Sequence, residues 1–385
     1  MFKAIYVHLP FCRTICPFCS FPILKNRAPL RKNYLILLLQ EIRLWQDKFP
    51  NLSKNCLSFY VGGGTPSCYS AKDISTIKQA LKIPDSALCS IEINPEDAHL
   101  DYLKSIVDLG FNRLSLGVQS FSDQHLKILG RNNTAKQNFL AMEALQKAGI
   151  DDFNLDILYG YPDQSLADLD KDLATYLSFN PPHLSAYGLT LEPKTPAFKN
   201  IYWQDWNKGK EGLFVEQFKL INISTHQAGL NRYEISNFAK PGFLSLQNLI
   251  YWQQKPFLGI GLGAFSRYKK QRFFNYANLA KWQQAINDNQ LPVDITENMT
   301  NRKILDEYLL MALRRKSGIS FAKLTNFLGQ IDFYSIFSKE LSNLREKMLI
   351  KINQRGITLT EKGLMLVDSI ILKISTIIDS KLDEK

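Results

Sequence analysis

The chain has 385 residues, enough for two or three domains and a sizeable hydrophobic core. Hydrophobic residues make up 45% of it and charged residues 22%, which excludes a disordered or fibrous protein. The 47 Lys and Arg residues against 36 Asp and Glu residues give a net charge of +11. Because the basic residues are scattered, a nucleic-acid partner is not favoured.

The sequence gives no sign of export or membrane insertion. No apolar run approaches the roughly 20 residues of a membrane-spanning helix, and the densest, 35–39, ends at Gln40 and Glu41. The first eight residues lack the basic segment and apolar stretch of a secretory signal and are predicted to begin a strand. We therefore expect a cytoplasmic protein.

Short β-rich runs alternate with helical patterns over residues 1–190. The strands are predicted at 4–8, 58–61, 88–93, 113–118, 153–158 and 183–189. The helices are predicted near 31–48, 71–82, 98–109, 134–148 and 165–178. Repeated strand–helix units predict an α/β fold with a parallel sheet, here a complete or partial (β/α)6 barrel whose chemistry lies at the carboxyl ends of the strands.

Three of the six cysteines lie within eight residues: Cys12, Cys16 and Cys19. In a chain without an export signal this spacing favours a metal site over disulfides. Three thiolates suit a [4Fe-4S] cluster and leave one iron open to a substrate's nitrogen and oxygen. Zinc with His8 or a distant cysteine is the alternative, although a second paired motif is missing. The remaining cysteines are expected to be small buried residues: Cys56, Cys68 and Cys89.

Polar residues and glycines fall at the predicted strand ends. They are Gly63, Gly64 and Thr65 after the second strand, Glu92 on the third, Gln119 on the fourth and Asp156 on the fifth. Since the carboxyl ends of parallel strands share one rim, these residues should converge. The glycines allow a ligand to approach the backbone closely, although a plain tight turn is the alternative.

The pattern changes after about residue 191. A helix near 209–229 and the segment 232–239 are predicted to extend the sheet, and a domain boundary is placed in the polar stretch 286–300, which contains Pro292. From about 301 the pattern is mostly helical, with a small hairpin at 350–359, as in a winged helix. The predicted domains are therefore 1–190, 191–295 and 296–385.

The motif Tyr-x-His-x-Pro-Phe-Cys-x3-Cys-x-Phe-Cys, at residues 6–19, resembles that of radical S-adenosylmethionine (SAM) proteins. With segments 62–66, 117–120, 130–131 and 233–238, nearly the whole chain resembles one branch, the oxygen-independent coproporphyrinogen III dehydrogenases and the HemW-type haem chaperones. The dehydrogenases carry a long segment before the motif and a further cysteine after it. Here Cys12 stands near the start and Ser20-Phe21 follows Cys19, which favours the chaperones.

The resemblance implies a [4Fe-4S] cluster on Cys12, Cys16 and Cys19, an electron donor that reduces it, and SAM on the open iron, cleaved to a 5′-deoxyadenosyl radical. It implies SAM contacts from Tyr6, Gly63 and Glu92. Six further residues match positions that hold a second SAM in the dehydrogenases: Phe18, Gly64, Thr65, Gln119, Arg131 and Asp156. For Arg131 a surface ion pair, and for Phe18 a place in the core, are equally supported.

The haem motif of the chaperones, His-Asn-x-x-Tyr-Trp, corresponds here to Gln247, Asn248, Tyr251 and Trp252. The region 191–295 is thus expected to face a tetrapyrrole, but a carboxamide replaces the imidazole and is a poor iron ligand. Phe265 and Asn133 also stand at usual histidine positions. Either haem is held by stacking on Tyr251, Trp252 and Phe265, or this lineage keeps only cluster and SAM; the aromatic residues also suit an ordinary core.

The function expected from the resemblance is that of a haem chaperone, which binds haem and passes it to an acceptor protein without oxidising porphyrinogens. The first alternative is the dehydrogenase, whose radical takes hydrogen from propionate side chains that then lose CO2. The second is a zinc-stabilised protein whose C-terminal region binds nucleic acid, for which the mixed charges of that region offer no clear face.

Overall fold

The computed structural model describes residues 1–383 and contains one twelve-stranded sheet, a three-stranded sheet and a two-stranded sheet. The strands are β1 (Ala4–Leu9), β2 (Phe11–Cys12), β3 (Leu24–Lys25), β4 (Ser58–Gly63), β5 (Leu88–Ile93), β6 (Arg113–Gln119), β7 (Phe153–Tyr159), β8 (His183–Gly188), β9 (Asn231–Arg232), β10 (Asn237–Ala239), β11 (Phe257–Ile260), β12 (Phe265–Tyr268), β13 (Gln271–Asn275), β14 (Val293–Asn298), β15 (Ile319–Ser320), β16 (Ile350–Asn353) and β17 (Gly356–Leu359).

The helices are α1 (Ala28–Lys48), α2 (Ala71–Ala80), α3 (Leu100–Asp108), α4 (Asp123–Ile128), α5 (Ala135–Lys147), α6 (Leu166–Ser178), α7 (Pro196–Lys199), α8 (Ile201–Gly209), α9 (Glu211–Gln227), α10 (Leu246–Trp252), α11 (Leu279–Asn287), α12 (Asn301–Leu313), α13 (Phe321–Leu328), α14 (Phe333–Glu340), α15 (Ser342–Glu346), α16 (Glu361–Leu364) and α17 (Val367–Asp383). Two single-turn 3-10 helices, Pro66–Cys68 and Pro95–Asp97, follow β4 and β5. None of the helices described is both long and apolar enough to cross a membrane.

Six parallel strands, β1 and β4 to β8, lie side by side in chain order, and at least one helix joins each to the next. Their residues are largely buried because helices cover the sheet, which is typical of parallel sheets. The predicted α/β fold with a partial (β/α)6 barrel is therefore confirmed. The carboxyl ends of all six strands point to the same rim, where the predicted site residues fall.

Local signals set the helix boundaries that position this rim. Helix α6 begins at a capping box in which the Ser165 hydroxyl accepts from the Asp168 backbone N–H and the Asp168 carboxylate accepts from the Ser165 N–H. Capping boxes also begin α2 and α5. Each satisfies backbone N–H groups that the first helical turn leaves without partners. Helices α2, α5 and α6 therefore each start at a defined residue.

The sheet continues on both sides of the barrel. Strands β10 and β9 add antiparallel to β8, and β11 adds parallel to β1, followed by antiparallel β12, β13 and β14. The predicted extension at 232–239 is confirmed by β10. The polar stretch 286–300, where a boundary is predicted, contains β14, because Val293–Asn298 pairs with β13. The division into three domains stays a prediction.

A buried carboxylate ties the extension to the first helix. Glu41 of α1 accepts hydrogen bonds from the indoles of Trp45 and Trp282, the amide of Asn275 and the backbone N–H of Gly261. Burial raises its pKa to about 7 despite these four donors. Helix α1 is thus joined to the residue after β11, to the end of β13 and to α11.

The C-terminal region has a hydrophobic core of its own. It is formed by residues such as Leu309, Leu313, Leu324, Phe337 and Ile374, all buried. The predicted hairpin is present as β16 and β17, and β15 pairs with β17 as a third strand. Helices surround this small sheet, so the predicted helical region with a hairpin is confirmed.

Candidate functional site

A cavity of about 660 Å³ lies at the carboxyl ends of the parallel strands and extends into the barrel. Its wall includes all three clustered cysteines and eight of the nine predicted cofactor residues: Cys12, Cys16, Cys19, Phe18, Gly63, Gly64, Thr65, Glu92, Gln119, Arg131 and Asp156. Tyr6 is the predicted residue outside this wall. It lies beside Tyr60, with ring centroids 6.1 Å apart, and its hydroxyl is 3.0 Å from Nδ1 of His8.

The cysteine loop is anchored at both ends. Cys12 lies on β2, which pairs with β3, so residues 13–23 form a loop that leaves the barrel rim and returns to it. The Arg13 guanidinium donates to Asp97 Oδ2 at 2.5 Å, and the Ser67 hydroxyl donates to the same oxygen at 2.7 Å. This ion pair, which the sequence analysis missed, joins the loop to the ends of β4 and β5.

The three clustered thiols are free and line the same cavity. The Cys12 sulfur accepts from the Thr65 hydroxyl at 3.6 Å, and the Cys16 sulfur lies 3.9 Å from the carbonyl oxygen of Gly130. Burial raises the pKa of the Cys12 thiol and raises that of the Cys19 thiol to about 11. The nearby Cys16 raises both pKa values further. Bound metal cations would compensate the cost of ionising these thiols and hold the sulfurs as thiolates.

Among the side chains of residues 1–380, no group of three or more His, Cys, Asp or Glu is arranged to hold a metal ion on its own. The remaining cysteines are buried, as expected: Cys56, Cys68 and Cys89.

The turn after β4 brings its backbone into contact with the cysteine strand. Gly63 has a φ of +121°, in the region that favours glycine. A Cβ atom on Gly64 would lie 2.6 Å from the carbonyl carbon of Pro10 and 3.0 Å from the Cys12 sulfur. Glycine is therefore required at position 64 for the turn to pack beside Cys12.

Two partly buried carboxyl groups face the cavity from β5 and β7, on either side of β6. Glu92 accepts from the Tyr60 hydroxyl at 2.9 Å and from the Gly63 N–H at 3.1 Å. Burial raises its pKa to about 7, with a further contribution from Asp156. Burial also raises the pKa of Asp156, whereas its bonds with Asn154 and Ser115 lower it. A positively charged ligand would restore the ionised form of both groups.

Arg131 is one of two arginines on the cavity wall, and its hydrogen-bond partners are neutral. It donates to the side chains of Asn94 and Asn133, each at 3.1 Å, and to the carbonyl of Gly117 at 2.8 Å. Its place in the cavity wall argues against a surface ion pair.

Gln119 lies beyond an irregularity in the β6–β7 pairing and has a φ of +65°. Its buried Oε1 has no hydrogen-bond partner among the residues described, as expected of a group that meets a ligand.

Comparison with known proteins places this site in a family. Residues 6–175 match the model of the radical SAM superfamily. The chain is 31% identical to the heme chaperone HemW of Bacillus subtilis, over 94% of this chain and 97% of that protein. The chain belongs to the HemW family of radical SAM proteins.

Two further likenesses agree with this assignment. The HemW-family chain is 30% identical to the mitochondrial radical S-adenosyl methionine domain-containing protein 1 of Bos taurus, over 96% of this chain and 87% of that protein. Its fold matches the solved structure of coproporphyrinogen III oxidase (HemN) from Escherichia coli, described as a radical SAM enzyme, with a TM-score of 0.81. That match covers 97% of this chain and 90% of HemN at 22% identity, so it supports the fold alone.

The predicted haem residues lie on α10, which packs against β4, but they do not share one environment. Asn248 lines the cavity, together with Ser245 at the start of the helix. Gln247 is buried and donates to the Tyr251 hydroxyl at 2.5 Å, and its Oε1 has no partner in the described chain. Tyr251 packs on Phe257, with ring centroids 4.5 Å apart, and Phe257 packs in turn on Phe265. The structure thus brings Asn248 to the cavity and places Gln247 and Tyr251 in an aromatic core beside it.

The inner part of the cavity contains a polar chain that the sequence analysis missed. The Tyr233 hydroxyl lies 2.9 Å from Nε2 of His183, and Nδ1 of His183 lies 2.6 Å from Oδ1 of Asn154. The amide of Asn154 donates to Asp156 at 2.8 Å and to Ser115 at 2.7 Å. Because burial lowers the pKa of His183 well below its usual value, the ring is neutral, with Nδ1 as donor and Nε2 as acceptor.

Proposed function

We propose that this chain is a cytoplasmic haem chaperone that holds a [4Fe-4S] cluster on Cys12, Cys16 and Cys19, binds SAM in the adjoining cavity and passes haem to an acceptor protein. The observation that carries the proposal is the convergence of three free thiols, the Gly64 turn and Glu92 on one cavity. Cysteine sulfur is the usual protein ligand of iron–sulfur clusters. The HemW relatives support the choice of haem as cargo.

The residues present fit these groups. Three sulfurs suit three irons of a cube, and a cluster with SAM supplies reductive chemistry that protein side chains lack. Glu92, which is acceptor-only when ionised, suits the ammonium or ribose hydroxyls of SAM. The Oε1 atom of Gln119 offers a free acceptor, and Arg131 offers positive charge toward a carboxylate. An electron donor must reach the cluster from outside the chain.

For haem, the structure favours packing over iron ligation by residue 247. Gln247 is bonded to Tyr251 inside the aromatic core, and Asn248 is the motif residue on the cavity wall. His183 also lines the cavity, but both of its ring nitrogens have protein partners. We therefore expect haem to be held mainly by apolar and aromatic contacts, with Trp252 at the end of α10 among them.

The cluster is tested by anaerobic reconstitution with iron and sulfide. We expect about four irons and four sulfides per wild-type chain. The Cys16→Ser variant should lose most of both, because a hydroxyl is a poor iron ligand. The matched control is Cys89→Ser, which changes a buried cysteine away from the loop and should retain the cluster. Zinc without sulfide in the wild-type protein would contradict the proposal.

Haem binding is tested by haemin titration of the reconstituted protein. We expect a shifted Soret band in the wild type and binding weakened by about tenfold in Trp252→Ala, since an aromatic contact contributes on the order of 1 kcal/mol or more. Trp206→Ala, a partly buried tryptophan on α8, is the control. An unchanged Soret band in the wild type would exclude haem as cargo, and anaerobic formation of protoporphyrinogen from coproporphyrinogen III would establish the dehydrogenase instead.

A further inference from the structure

The backbone at Gln119 makes a tight, strained turn at the cavity wall. The Ser120 N–H donates to the Val118 carbonyl at 2.9 Å and so closes a turn of three residues with Gln119 at its centre. A φ of +65° at the central residue is characteristic of the rare, strained form of this turn. Strained backbone of this kind persists only where neighbouring groups fix it. The groups that fix the turn therefore also determine where Gln119 enters the cavity.

Asn138 of α5 bonds to this turn on both sides of Gln119. Its side chain is fully buried, and its amide nitrogen donates to the Val118 carbonyl at 3.3 Å and to the Ser120 carbonyl at 2.7 Å. Asp172 of α6 also holds the segment, because its carboxylate accepts from the Ser120 hydroxyl at 2.6 Å, but that bond lies after Gln119. Asn138 thus fixes the backbone both before and after the cavity residue.

The oxygen of the same Asn138 amide leads to Arg131. It accepts from the Asn133 amide nitrogen at 2.6 Å, and the Asn133 oxygen accepts in turn from Nε of Arg131 at 3.1 Å. Asn133 is buried as well, and neither asparagine is part of the cavity wall. Because an amide donates only from nitrogen and accepts only on oxygen, these bonds fix the orientation of both side chains. The chain of hydrogen bonds ends at a guanidinium on the cavity wall.

A buried asparagine is a costly choice for a helix that merely packs against a sheet. Asparagine has a lower helix propensity than leucine, and its polar atoms require partners once they are buried. Both polar atoms of Asn138 and of Asn133 have such partners. A fully paired buried network of this kind rigidifies the groups that it joins. Here those groups are the Gln119 turn and the Arg131 side chain.

We propose that Asn138 is a positioning residue for SAM, an inference that rests on the proposed function. It fixes Gln119, whose Oε1 atom is free to accept from SAM, and through Asn133 it orients the Arg131 guanidinium toward a carboxylate. The two connections serve opposite needs of an amino-acid group, since one presents an acceptor and the other a charged donor. Hydrogen bonds weaken steeply when their angles change, so loss of Asn138 weakens both contacts at once.

The test is calorimetric titration of the reconstituted full chain with SAM. We expect Asn138→Ala to weaken SAM binding by about tenfold, because both connections are lost. Asn133→Ala should weaken it by about three- to fivefold, since it breaks only the connection to Arg131. The matched control is Asn222→Ala on α9, a buried asparagine whose amide donates to the Phe218 carbonyl of its own helix at 2.7 Å. It should leave SAM affinity unchanged within about twofold.

An Arg131→Gln background separates positioning from a general loss of stability. Asn133 reaches the ligand only through Arg131, so Asn133→Ala should change SAM affinity by less than about twofold in this background. Asn138→Ala should still weaken binding by about threefold there, through Gln119. A residue that supports only the fold would have the same effect in both backgrounds. Thermal unfolding of the ligand-free variants, with Asn222→Ala as reference, measures the structural cost of each substitution.

The outcomes distinguish this inference from the proposed function. Full SAM affinity in Asn138→Ala would overturn the positioning role and leave the proposed SAM binding intact. So would an equal loss of affinity from Asn133→Ala with and without Arg131, a comparison that decides the matter even if Asn138→Ala does not fold. Absence of SAM binding by the reconstituted wild type would overturn both the positioning role and the proposed function.

Discussion

The rim wall and the inner wall of the cavity differ in how their polar groups are satisfied. The rim wall, formed by the cysteine loop and the strand ends, contains three thiols free of disulfide bonds and the Gln119 Oε1 atom, which has no hydrogen-bond partner among the residues described. The inner wall begins where β6 and β8 begin, at Arg113 and His183. There Arg113 donates to Asp152 at 2.6 Å, and both ring nitrogens of His183 have partners. The rim is thus prepared for ligands, and the inner wall supports it.

This contrast predicts that changes at the rim damage cofactor binding and that changes at the inner wall cost mainly stability. Gly64→Ala should have the largest effect. Its methyl group would meet the backbone of Pro10 and the Cys12 sulfur, neither of which moves cheaply. We expect a loss of about 3 kcal/mol in unfolding free energy from overpacking, and SAM binding weakened by about tenfold or more.

Calorimetry of SAM binding and urea unfolding would measure the two effects of Gly64→Ala. The control is Gly209→Ala at the end of α8, where an added Cβ meets no atom within 4 Å. It should be neutral or slightly stabilising, because alanine favours helix over glycine. Normal SAM affinity in Gly64→Ala would show that the turn can shift away from Cys12 without harm, and the contrast between the walls would fail.

Glu92→Gln should have an intermediate, pH-dependent effect. The pKa of Glu92 is raised to about 7 by burial and by Asp156, so the folded protein binds a proton that the unfolded chain releases between about pH 4.5 and 7. The contribution of this group to stability therefore falls as pH rises through that window. Relative to wild type, Glu92→Gln should gain about 2 kcal/mol between pH 5 and pH 8, measured on metal-free protein.

The same substitution should weaken SAM binding. Together, the two results would show that the ionised Glu92 carboxylate destabilises the fold but helps to bind SAM. The matched control is Glu143→Gln on α5, whose exposed carboxylate pairs with Lys147. It should leave the pH profile of stability unchanged. A Glu92→Gln variant whose stability relative to wild type is the same at pH 5 and pH 8 would contradict a raised pKa at this site.

The sequence predicted the rim better than the inner wall, and the reason is physical. The cysteines, Gly63 and Gly64 act within short segments, and each segment follows a strand whose direction is fixed by the parallel sheet. Most partners of Asn154 and His183 come from other strands, and Tyr233 comes from the turn between β9 and β10. No local pattern distinguishes a buried asparagine that bonds across strands from one in a turn. Likewise, β14 lies in a polar stretch that is a strand only because β13 pairs with it.

Tyr233→Phe should have the smallest effect and tests the supporting role of the inner wall most directly. The Tyr233 hydroxyl donates to Nε2 of His183 and accepts from the Ser245 N–H at 3.4 Å, so its loss leaves a buried acceptor without a partner. We expect a cost of about 1 kcal/mol in unfolding free energy, with iron content and SAM affinity unchanged within about twofold. Tyr334→Phe on α14 is the control for removal of a hydroxyl outside this chain of hydrogen bonds. A large loss of SAM affinity in Tyr233→Phe would mean that the polar chain from Tyr233 to Asp156 positions the ligand itself. The route would be through Asn154, whose amide donates to the Asp156 carboxyl group on the cavity wall.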